Sequence, residues 1–159
     1  MTIHLPEQFK IVDASAGAVT TNGGVTCDYV SLKNVNMAWI IASFDQAVGH
    51  ATVVQPQKAT AVAPTGAISI TTSVPNWENN ATGTSDTLVK NADATSVTLS
   101  ATVAAHQVVI QIDPAQLGST YDVMGCTISN SAQATNFVSV LYLLETRYAQ
   151  ATPPAAITD

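Results

Sequence analysis

The sequence predicts an all-β fold: a single β-sandwich of jelly-roll or immunoglobulin-like type, or a barrel, of about eight to nine strands with extended N- and C-terminal arms. Three observations predict it. Short apolar or alternating runs recur along the 159 residues, each bounded by Gly, Pro, Asn or Asp. No run carries a helical apolar period long enough to compete. The longest apolar run, Phe137 to Leu144, is rich in β-branched, aromatic and leucine residues, as expected of a strand buried on both faces.

Taken in order, residues 1–24 read as an arm or first edge strand, broken by Pro6, Gly17 and Asn22-Gly23-Gly24. Residues 25–148 form the sandwich domain. Val25 to Leu32 alternates as a half-buried strand, and Met37 to Phe44 is a strong strand carrying Trp39 into the core. Ala51 to Gln57 follows, with Pro56 marking an edge or an end because proline offers no N–H to a ladder. Ala67 to Val74 alternates, Ile68 and Ile70 on one face. Pro75 to Asp86 is the longest polar loop, and Thr87 to Lys90 a short strand. Ser96 to Val103 turns Val97, Leu99, Ala101 and Val103 inward, and Val108 to Ile112 leads into the turn Asp113 to Gly118. There Asp113 caps one turn of helix with Pro114 at its first position. Tyr121 to Ser129 and Phe137 to Leu144 complete the set. Residues 149–159 are an extended arm in which Pro153 and Pro154 stop the ladder.

Composition narrows the function. Apolar residues make up an ordinary 47% of the chain, but charged residues only 10%, against about 25% in a typical domain. A surface so poor in charge is suited to lying against other subunits, and few lysines lose side-chain entropy when it is covered. The net charge is −6, and the five cations Lys10, Lys33, Lys58, Lys90 and Arg147 are scattered. Nucleic acid is thereby excluded as a partner, as is a basic membrane-binding face. The N-terminus lacks a basic segment followed by an apolar one, so no signal peptide is expected. The protein is expected in the cytoplasm where it is made, with Cys27 and Cys126 reduced and buried.

Motifs for chemistry do not occur: no G-x-S-x-G, no G-x-x-x-x-G-K-[ST], no G-x-G-x-x-G, no H-E-x-x-H. His4, His50 and His106 lie far apart, so no metal or cofactor is expected. Cys126 with His50 or His106 as base is the one conceivable nucleophile, but its setting in an apolar strand favours a packed thiol. The expectation is a protein that is not an enzyme.

The candidate contact residues are Trp77, Arg147, Tyr148, Pro153 and Pro154. Trp77 stands among amides, where an indole either stacks on a sugar ring or pins its own loop. Arg147 follows Glu145 by two, on the same strand face, and its planar fork suits a partner carboxylate. Tyr148 and the two prolines begin the arm, which either reaches a neighbouring subunit or frays into solvent.

The pieces DYVSLKN (Asp28 to Asn34), SVPNW (Ser73 to Trp77), SDTLVK (Ser85 to Lys90), VVIQIDPAQL (Val108 to Leu117) and SNSAQATNFVSV with TRYAQATPPAAI (within Ser129 to Ile157) resemble a family of small virion proteins of tailed bacteriophages. The resemblance covers most of the chain from Asp28 onward and rests on no catalytic motif. It implies a structural protein on the capsid exterior, a decoration or cement protein whose partner is the major capsid protein. Such proteins are β-rich and often trimeric, which implies a homo-oligomer, a trimer first. The alternative is a tail or head-fibre module that binds a receptor or carbohydrate through the Trp77 loop. A free β-domain with another partner is a third reading.

Overall fold

A computed structural model describes residues 4–149 and 155–156. It is nearly all β, with two antiparallel sheets packed against each other. After a short helix α1 (Leu5–Gln8) come β1 (Phe9–Asp13), β2 (Val19–Thr20), β3 (Val25–Thr26), β4 (Val30–Ser31) and the long β5 (Val35–Gln46). Then follow β6 (Val53–Ala59), β7 (Ile68–Ser69), β8 (Asn76–Asn79), β9 (Val89–Lys90) and β10 (Val97–Thr98). The chain closes through β11 (Ala105–Ile112), a 3-10 turn (Pro114–Leu117), β12 (Val123–Ile128) and β13 (Asn136–Thr146).

The larger sheet runs β1-β13-β5-β11-β8-β9, with β2 also on β13. The smaller runs β10-β6-β12-β3, with β4 also on β12 and β7 on β6. Alternate side chains of a strand face opposite ways, and the inward set fills the space between the sheets. Ala38, Ile40, Ala42 and Phe44 of β5 meet Val108, Ile110 and Ile112 of β11 and Val138, Val140, Tyr142 and Leu144 of β13. The opposing wall is Val54, Met124, Cys126 and Ile128, closed by Val30, Leu32, Ile70 and Leu99. Each large side chain so buried contributes about 1.5–3 kcal/mol.

Buried polar side chains finish the ladders. Asn136 donates to the Val48 carbonyl and accepts from the Val48 N–H, at 2.7 and 2.9 Å, closing the turn after β5. Beyond β1, the Ser15 hydroxyl accepts from Val140 N–H and donates to the Gly17 carbonyl, across a kink where Ala16 and Gly17 hold φ of 55° and 89°. At the other end of β1, Gln8 Nε2 donates to the Thr146 carbonyl and Thr146 Oγ1 to the Gln8 carbonyl. The Asp113 carboxylate accepts from Ala115 N–H and Gln116 Oε1 from Asp113 N–H, the cap expected from the sequence.

Several expectations are corrected. The run Phe137 to Leu144 is not buried on both faces: Val138, Val140, Tyr142 and Leu144 point inward, while Phe137 and Leu141 are exposed. Trp39 is half-buried on the outer face, because its neighbours Ala38 and Ile40 take the inward positions. Val25 to Leu32 is two short strands rather than one, and both pair with β12. Ile68 and Ile70 do not share an environment: Ile68 is exposed and Ile70 buried, since the strand ends at Ser69 and the chain turns in. Val97 and Leu99 are inward, but Ala101 and Val103 lie in an exposed bend. Pro56 sits inside β6 opposite Cys126. Its missing N–H is tolerated because that side faces the gap between β10 and β7, where its carbonyl accepts from Ile70 N–H.

Candidate interaction surface

Outward-pointing residues of the larger sheet line up across the ladders. Ile11 of β1 pairs with Leu143 of β13, and Leu143 with Trp39 of β5. One row further on, Leu141 pairs with Ile41, Ile41 with Val109 of β11, and Val109 with Trp77 of β8. Phe9 packs on Trp39 with ring centroids 6.2 Å apart. Ile11, Phe137 and Leu141 are 52%, 41% and 39% exposed, and the rest of the two rows is half-buried. The sheet is thus apolar on both faces, and only one of them meets the smaller sheet.

Toward the other end of the same face the side chains become polar. Ser139 pairs with Ser43 and Ser43 with Gln107, and Asp45 lies between Phe137 and Ala105. With Thr82, Ser85 and Asp86 these residues line a cleft of about 490 Å³. His106 forms part of its wall but is itself buried, with Nδ1 at 3.1 Å from Asn80 Oδ1 and Nε2 at 3.3 Å from the Thr102 carbonyl. Both ring nitrogens are therefore engaged. His50 is likewise held, its Nδ1 at 3.2 Å from Thr52 Oγ1.

The conceivable thiol nucleophile is sealed in the core. Cys126 is fully buried, and its backbone carbonyl accepts from Cys27 N–H at 2.9 Å. A side-chain hydrogen bond with Cys27, then burial, push its thiol well above the usual range. Both cysteines are free thiols. Among the described residues, no group of three or more His, Cys, Asp or Glu is placed to hold a metal ion.

The structure separates the predicted contact residues. Trp77 belongs to β8 rather than to a loop, half-buried on the outer face between Val109 and Lys90. The polar neighbours Asn76 and Asn79 that suggested a loop are buried, where Asn76 Nδ2 donates to the Ala92 carbonyl and Asn79 Nδ2 to the Ser85 carbonyl. Arg147 and Tyr148 are exposed just beyond β13, with Arg147 N–H donating to the Asn34 carbonyl. Trp77 stands level with Ile41, whereas Thr146 stands level with Val35, so the two candidates lie apart along the strands. A register shift between Glu145 and Thr146 breaks the alternation, and the two-residue spacing from Glu145 to Arg147 no longer fixes one face. Pro153 and Pro154 lie outside the described residues. Near them, Ala156 is buried against the core, and its carbonyl accepts from Ser31 N–H at 2.7 Å.

The apolar rows were the surface that sequence reasoning missed. Their signal was present in the apolar residues at both parities of β5 and β13. No family model matches the chain, and no curated protein matches it.

Proposed function

We propose that the chain is a non-enzymatic structural protein of a tailed-bacteriophage virion, a decoration or cement protein that binds the outside of the head and stabilises it. The observation that carries the reading is a charge-poor surface with large apolar side chains left open, among them Ile11, Val89, Val103, Phe137 and Tyr148. Such a surface suits a protein that works covered by its neighbours. The resemblance of the segments from Asp28 onward to small phage virion proteins supplies the setting. Its partners on this reading are the major capsid protein and further copies of itself. Weak individual contacts suffice, because many copies on a symmetric lattice multiply avidity.

The test is co-sedimentation of the purified protein with expanded heads of its parent virus prepared without it. Saturable binding at a fixed number of copies per capsomer is expected. Heads that sediment free of it, with the protein recovered in tails or in solution, sink the reading.

A second reading, a receptor- or carbohydrate-binding module, is favoured by the cleft of about 490 Å³ where Phe137 adjoins hydroxyl, amide and carboxylate groups. On that reading a glycan binds, and Trp77→Ala, two positions along β8 from the cleft-lining Asn79, weakens it with the fold intact. A decoration protein shows no such ligand.

A further inference from the structure

The outer face of the larger sheet is built like the half of a core. In a sheet with one face in water, strands alternate apolar and polar; strands apolar on both faces are covered on both. β5 and β13 are of the second kind, with Trp39, Ile41, Leu141 and Leu143 facing away from the smaller sheet. Ala156 lies on the other side of the sandwich, where its carbonyl accepts from Ser31 N–H in the smaller sheet.

We infer that this face is the interface with a second copy of the same chain, packed sheet on sheet about a two-fold axis. Its size fits. Six strands lie in line from β1 to β9, and at about 4.8 Å spacing they extend roughly 24 Å across. The eight residues of β11 set a length of roughly 27 Å. The product, on the order of 650 Å² per copy, approaches the roughly 800 Å² per partner of a standard stable interface. The anatomy fits as well. The apolar rows fill one part of the face, and Ser43, Asp45, Gln107 and Ser139 give it a polar margin at one end. A two-fold axis running along the strands lays the β9 edge of one copy, which carries Lys90, over the β1 edge of the other, which carries Asp13. Lys90, which also lies 3.7 Å from Asp93 of its own chain, thus faces Asp13 at both ends of the interface.

The inference deepens the assembly part of the proposed function and rests on it only there. Its test uses no heads, so its failure leaves capsid binding open, and failure of capsid binding leaves it untouched. The full chain is expected to sediment as a dimer of twice 16.5 kDa. Leu141→Glu is expected to raise the dissociation constant roughly a hundredfold, while Ile68→Glu, exposed on the other sheet, leaves it unchanged. A circular dichroism melt establishes that each variant is folded. A variant-free measurement stands beside these. Both tryptophans of the chain, Trp39 and Trp77, lie on this face, so diluting the unmodified protein is expected to red-shift its fluorescence in step with its loss of mass. A monomer at high concentration overturns the inference. So does an oligomer whose dissociation leaves the tryptophan emission unmoved, or one that survives folded Leu141→Glu.

Discussion

The hydroxyl of Tyr142 donates to the backbone carbonyl of Asp28 at 3.0 Å, joining the middle of the larger sheet to the link between β3 and β4 of the smaller. Tyr142 is otherwise wholly buried, and burial, the largest cause, holds its phenol well above the usual range. Tyr142→Phe keeps the ring and leaves the carbonyl without its donor, so it is expected to cost about 1–2 kcal/mol. Urea unfolding should show a lower midpoint at unchanged slope. An unchanged midpoint means that the carbonyl finds another donor.

Gly125 is required by close approach. A Cβ built there would lie 2.6 Å from the ring of Tyr29. Gly125→Ala is expected to destabilise by about 1–3 kcal/mol, as overpacking does. In a Tyr29→Ala background the same change should cost much less, and a double-mutant cycle reads the difference. Equal costs in the two backgrounds rule out the ring as the cause.

Alkaline pH should weaken the fold. The folded-state values of Cys126 and Tyr142 are raised, so their contribution is fully present below their unfolded values and is lost as pH rises past them. Loss is expected to begin near about pH 8.5 for the thiol and to steepen near about pH 10 for the phenol. Cys126→Ala should remove the first part of the decline. Denaturation midpoints that stay flat through this range contradict the assignment.

Some of these features were legible in the sequence and some were not. The capped turn at Asp113 was readable because its chemistry lies within four residues. The positions of β5, β6, β11, β12 and β13 were readable from their short apolar or alternating runs, whereas β8 was hidden in a polar stretch. The outer face was not, because apolar residues at Trp39 and Leu141 report that a covering layer exists without saying whether the same chain supplies it. Trp77 looked like a loop residue because Asn76 and Asn79 are polar; only the fold shows that both amides are spent on backbone carbonyls. Pro56 looked like an end because a missing N–H matters only on the side where a partner strand runs.

Removing residues 149–159 tests the tail. The truncated chain is expected to stay folded but to lose on the order of 1–2 kcal/mol, because Ser31 N–H loses the Ala156 carbonyl. A melting temperature equal to that of the full chain shows the seat to be energetically idle.

The reciprocal hydrogen bonds between Gln8 and Thr146 close a span of 138 positions, and that span sets a schedule for synthesis. β13 lies between β1 and β5, so both strands leave the ribosome before the neighbour they share exists. At about 5–20 residues per second the wait is on the order of ten seconds. During it, the apolar sides of β5 are open to chaperones and to other nascent chains. The larger sheet closes only after nearly the whole domain has emerged, and errors in its pairing are decided in that final step.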